Sequence, residues 1–125
     1  MNNALTEAEA YDGPSLIIAY SPCIAHGVHM SKSMEEEKRA VDCGYWHLYR
    51  FNPALKEAGK NPFTLDSKAP TASFQEFLMG ENRFAALHNA APERAARLFA
   101  QAEQDSKELF EFYQNLASIL TPPTK

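Results

Sequence analysis

Cys23, His26 and His29 stand at three-residue steps along the chain, and a thiolate with two imidazoles is a donor set that zinc accepts. A closed structural zinc site takes about four protein ligands, and no second Cys-x-x-Cys or His-x-x-x-His supplies the remainder. The same residues allow a second chemistry, a nucleophilic thiol with His26 as its base. Neighbours in sequence are not neighbours in side-chain space, and nothing else in the chain completes such a pair. A third chemistry is iron–sulfur ligation. A cubane cluster takes about four thiolates. The chain has only Cys23 and Cys43, so it could lend a ligand but could not hold a cluster alone. Against all three stands the ordinary role of an unbonded thiol, that of a small buried hydrophobe.

Other polar groups carry simpler readings. Arg50, between Tyr49 and Phe51, could clamp a carboxylate or phosphate with two parallel hydrogen bonds, although pairing with a nearby Asp or Glu is the commoner use. His47 reads as a strand residue and His88 as an exposed helix-end residue. Tyr45, Trp46, Tyr49 and Phe51 read as core or interface, because no basic surface accompanies them as a base-stacking platform would require. Glu35, Glu36 and Glu37 read as a solvated helix start, and no Gly-rich phosphate loop is present.

The elements that must position Cys23 follow from hydrophobic pattern and turn residues. Ser15–Tyr20 is an apolar run bounded by turn residues, which predicts a buried strand. Pro22 has no amide hydrogen and ends the ladder, so Cys23 falls just past the carboxyl end of that strand, with Gly27 allowing a tight turn. In open α/β sheets that end is where ligands and reactive groups gather. Leu5–Tyr11 reads as the end of a helix closed by Asp12-Gly13-Pro14. One helical turn feeding a central strand suggests a piece of a larger domain. Met34–Asp42 reads as a helix with a capping box from Ser33 and Glu36, ended by Gly44. Tyr45–Phe51 reads as a strand broken by Asn52-Pro53, and Asn61–Ser67 as an edge strand or hairpin partner. Helices are expected over Phe74–Met79 and Asn82–His88, with Gly80 between them. From Pro92 a long helix shows Ala95, Leu98, Phe99, Ala102, Leu109, Phe110, Tyr113 and Leu116 on one face, with Glu103 and Lys107 paired on another. Thr121–Lys125 reads as a loose end.

Composition bounds the answer further. The chain has 125 residues, 45% apolar and 22% charged, with net charge −4, which describes one globular domain. A chain without clustered Lys and Arg is not a nucleic-acid binder. No apolar stretch reaches the roughly 20 residues that span a bilayer. Met1–Glu7 lacks the basic start and apolar centre of a secretory signal, so the cytoplasm, with both thiols reduced and no disulfide, is the expected setting.

Three segments carry a family resemblance. Tyr20-Ser21-Pro22-Cys23-Ile24-Ala25-His26-Gly27, Gly44–Pro53 and Gly59–Lys68 with the following Phe74–Leu78 resemble, in order, segments near the C-terminus of pyruvate:ferredoxin (flavodoxin) oxidoreductase. The likeness runs from about Glu9 to Ala117. It implies the end of a thiamine-diphosphate-binding domain within a large enzyme. That enzyme oxidatively decarboxylates pyruvate to acetyl-CoA, using thiamine diphosphate and magnesium, and passes electrons through 4Fe–4S clusters to ferredoxin or flavodoxin. The resemblance also implies that Cys23 is the fourth ligand of the cluster nearest thiamine diphosphate, and that the parent is a homo-oligomer. The family's Gly-Asp-Gly motif with its Asn and the other three cluster cysteines are absent from these residues, as are the magnesium, coenzyme A and pyruvate sites. Cys43 matches no ligand position.

The resulting expectation is an α/β fragment of a doubly wound thiamine-diphosphate-binding domain with a helical C-terminal subdomain. Residues 1–70 would finish the α/β domain and residues 71–125 would form the helical part. The isolated chain would be inactive, hold no cofactor, and expose a sheet edge and apolar surface that the rest of the parent covers. The rival is a stand-alone protein-binding or scaffolding module, a stable monomer with a well-covered surface.

Overall fold

The computed structural model describes residues 2–119, with the side chains of residues 2, 26 and 119 outside the description. The reading of Thr121–Lys125 as a loose end therefore lies outside the described residues. The chain is mostly helical, with one small two-stranded sheet among the described residues. This is compatible with a fragment of an α/β domain. In order come α1 (Asn2–Ala10), single 3-10 turns at Ile24–His26 and Met30–Lys32, α2 (Ser33–Asp42), β1 (Tyr49–Phe51), α3 (Ala54–Glu57), β2 (Phe63–Leu65), α4 (Phe74–Met79), α5 (Asn82–Ala90) and α6 (Pro92–Ile119).

Helix α6 is the backbone of the arrangement. Pro92 opens it, where a missing amide hydrogen costs nothing. Its inward stripe is narrower than the apolar pattern suggested. Ala95, Phe99 and Phe110 are buried, whereas Leu98 and Leu109 are exposed. Ser106 completes the stripe: its hydroxyl donates to the Gly44 carbonyl at 2.6 Å, and its own carbonyl faces His47 Nε2 at 3.3 Å. Gly44 stands at φ +82°, and a Cβ there would come within 2.8 Å of Pro70 Cγ, so the chain turns from α2 under α6 only with glycine. The expected Glu103–Lys107 pair forms at 2.7 Å.

The core joins both halves of the chain. Ala40 and Cys43 from the end of α2 meet Phe74, Phe77, Leu78, Ala95 and Phe99, with Tyr45, Trp46 and Phe84 packed around them. The Asp42 carbonyl accepts from the amides of Thr71 and Ala72, which fastens the lead-in of α4 to the end of α2.

The hairpin is antiparallel, pairing Tyr49 with Leu65, Arg50 with Thr64 and Phe51 with Phe63. Strand character begins only at Tyr49. Tyr45 and Trp46, expected in the strand, instead turn beneath the core, with the Trp46 amide donating to the Ala40 carbonyl, and Leu48 bonds Asp66 and Ser67 just beyond the ladder. Two short strands are marginal alone. Here Tyr49 and Phe63 rest on Tyr113 of α6 at ring separations of 4.9 and 5.8 Å. Asn61 ties the other end, donating through Nδ2 to the Leu116 and Ala117 carbonyls and accepting from the Phe63 amide.

Two expected features are not formed. Residues 14–23 make no regular element, and Leu16 and Ile18 are 85% and 69% exposed. A strand needs a neighbour to pair with, and the only sheet among the described residues is β1–β2. The Ser33–Glu36 capping box is also absent. Ser33 lies inside α2 and donates to the Met30 carbonyl, while Glu36 turns inward to Arg39 at 2.9 Å.

Phe77→Ala should lower unfolding free energy by about 3–5 kcal/mol in denaturant titrations, against about 0.5 kcal/mol or less for the exposed Phe112→Ala. His47 supplies a pH signature. Burial outweighs the Ser106 carbonyl and pulls the imidazole below its ordinary 6.5. Its stabilisation is complete above that value and drains away as pH falls through the lowered native one. Melting temperature should fall from about pH 7 to about pH 5.5, and His47→Gln should flatten that slope.

Candidate functional site

Cys23 sits on an exposed loop whose two ends are held at the junction of α4 and α5. Pro22 before it is buried, and a 3-10 turn after it closes with the Gly27 amide donating to the Ile24 carbonyl at 3.0 Å. Gly27 stands at φ +79°, where a Cβ would lie 2.3 Å from Asn82 Nδ2, so the first residue of α5 fills the space glycine leaves. At the other end, Tyr20 rests against Trp46 and Tyr45 at ring separations of 5.7 and 5.9 Å. Its hydroxyl donates to Glu81 Oε1 at 2.7 Å.

Glu81 is fully buried between α4 and α5. A charge in that position is tolerated only when paired. Oε2 accepts from Arg83 Nε at 2.5 Å, and Arg83 Nη2 donates to the Tyr45 hydroxyl at 3.0 Å. The guanidinium also lies 4.6 Å from the Phe84 ring centre. Burial, then the bond to Glu81, raises the Tyr20 hydroxyl pKa well above its ordinary value, so Tyr20 stays a donor. Sequence reading missed this network. Glu81 and Tyr20 are 61 residues apart, and a Glu after Gly80 at a helix junction resembles any solvated helix start.

The remaining candidates separate. Cys23 is exposed and Cys43 buried, with Cys43 Sγ donating to the Ala40 carbonyl at 3.5 Å and burial pushing its thiol upward. The buried-hydrophobe role thus falls to Cys43, and no disulfide joins the two. His29 is exposed, and His26 as a base lies outside the described side chains. Among the described residues no three His, Cys, Asp or Glu side chains come together as a metal site. Arg50 takes the commoner role: it grips Asp66 with two bonds of 2.7 and 2.9 Å and Glu7 with a third. Hydrogen bonds to Arg50, and for Glu7 first to Asn52, hold both carboxyls below their ordinary range. A depression beside them, lined by Glu7, Tyr11, Asp12, Asn52 and Glu57, includes no Cys, Ser, Thr, Lys or His. Chemically, the site offers one accessible thiol on a braced loop. That fits a single thiolate ligand of a cluster and does not fit a complete metal site.

Among the described residues no helix is long and apolar enough to cross a membrane. No protein-family model matches the chain. Relatives do. Pyruvate:ferredoxin oxidoreductase of Moorella thermoacetica is 60% identical over 114 residues, covering 91% of this chain and 10% of that protein. Pyruvate-flavodoxin oxidoreductase of Enterobacter agglomerans is 55% identical over 117 residues, covering 92% and 10%. Mitochondrial pyruvate dehydrogenase (NADP+) of Euglena gracilis is 44% identical over 115 residues, covering 90% and 6%. The chain spans about a tenth of the length of the first two relatives. Over about nine-tenths of its length the chain is thus a homologue of one short segment of pyruvate:ferredoxin and pyruvate-flavodoxin oxidoreductases.

Proposed function

We propose that this chain is the C-terminal part of the thiamine-diphosphate-binding domain of a pyruvate:ferredoxin (flavodoxin) oxidoreductase, and that its own contribution is Cys23, one thiolate of the cluster nearest the cofactor. The observation that carries the reading is the exposed Cys23 thiol on a loop braced at both ends, within a segment 60% identical to such an enzyme. The bound 4Fe–4S cluster would accept and pass on single electrons. This chain's residues do the holding: Pro22 fixes the backbone before the ligand, and the 3-10 turn at Ile24–His26 fixes it after.

The exposed run supports the parent architecture. Leu16, Ile18, Ile24, Met30 and Met34 are each more than two-thirds exposed, apolar surface that a stand-alone module would cover. Residues 15–20 would join the sheet of a doubly wound domain as a paired strand, with residues 1–70 finishing that domain and 71–125 forming its helical subdomain. The remainder of the parent is then the first partner, and ferredoxin or flavodoxin the electron acceptor. Thiamine diphosphate and magnesium would bind outside this chain, as would pyruvate, and the parent would assemble as a cytoplasmic homo-oligomer. One thiolate holds no cluster, so the isolated chain would neither oxidise pyruvate nor retain iron.

Cys23→Ser in the full-length oxidoreductase should alter or abolish the proximal-cluster signal in electron paramagnetic resonance. It should slow ferredoxin reduction by about tenfold or more, with the fold retained in far-ultraviolet circular dichroism because Cys23 lies outside the buried core. An unaltered signal with unaltered reduction would overturn the assignment.

A further inference from the structure

We infer that Glu81 and Asn82, at the junction of α4 and α5, are positioning residues that set the geometry of the Cys23 loop and, through it, the properties of the cluster. The part concerning the cluster rests on the proposed ligand role of Cys23. Tyr20 stands three residues before Cys23 and Gly27 four after it. Both are anchored to adjacent residues of one junction. Tyr20 donates to Glu81 at 2.7 Å, and Gly27 leaves the space that Asn82 fills. The loop therefore follows any movement of that junction.

A buried carboxylate is an expensive way to pack two short helices, since apolar residues of the same volume do it as well or better. Glu81 divides its oxygens between the loop, through Tyr20, and α5, through Arg83. This arrangement gives direction, where apolar packing gives only cohesion. A cluster's potential responds to hydrogen bonding and solvent exposure around its sulfurs. Both change if the loop shifts.

Tyr20→Phe removes one hydroxyl and leaves the ring packing. Asn82→Ala frees the other anchor at an exposed position. The control is Asn61→Ala, which loosens the far end of α6. In the 125-residue chain, amide exchange across residues 21–27 should quicken about tenfold in the first two variants and not in the control. In the full-length enzyme, the first two should shift the reduction potential and resonance signature of the proximal cluster, with pyruvate KM unchanged. Unchanged exchange and potential in Tyr20→Phe and Asn82→Ala, or an equal shift in Asn61→Ala, would overturn the positioning role while Cys23→Ser still disturbed the cluster. A cluster indifferent to Cys23→Ser would instead overturn the ligand assignment, and the positioning toward the cluster with it.

Discussion

Aromatic packing around Phe77 is the constraint on which the rest of the structure depends. Phe77 is 1% exposed, and Tyr45 lies against it at a ring separation of 4.8 Å. Tyr45 in turn touches Tyr20, Phe74 and Phe84. Burial of each large ring contributes about 1.5–3 kcal/mol before any contribution from ring geometry. Through this cluster the end of α2, the short helices and the first half of α6 form one body. The hairpin is secondary to it and depends on Tyr113 and Asn61 for support. The loop that carries Cys23 is attached to the same cluster through Tyr20.

What the sequence revealed and what it hid divide along the range of the interaction. Helix α6, the Phe63–Leu65 strand and the two short helices follow from local periodicity and punctuation, and they stand where expected. The run at Ser15–Tyr20 has the pattern of a strand, yet pattern supplies only one side of a ladder, and no partner strand lies beside it among the described residues. Helix α3 after Asn52-Pro53 is too short to show a periodic pattern, and it starts from a local device, Asn52 Oδ1 accepting from the Ala54 amide. Glu36 belongs to an acidic run that reads as solvated, whereas in the fold it is buried and paired with the half-exposed Arg39. Position alone left Cys23 ambiguous between a ligand and a core residue. Its exposure settles only the second of these.

The polar groups with structural consequence share a trait that pattern analysis does not register. Glu81, Ser106 and Asn61 each bind a partner more than fifty residues away in sequence. Their types are unremarkable in a helix or a turn, and their burial is decided by where distant segments come to lie. Each also satisfies groups that would otherwise be stranded, which is why such residues resist substitution while looking dispensable.

The contrast between the two thiols has a practical side. Cys43 is sealed beneath the aromatic cluster and Cys23 faces solvent. A maleimide dye or nitroxide would therefore find a single address on the folded chain without any engineering, and would report from the one loop whose placement matters most. Unfolding would reveal the second address, so the ratio of labels becomes a direct count of folded molecules.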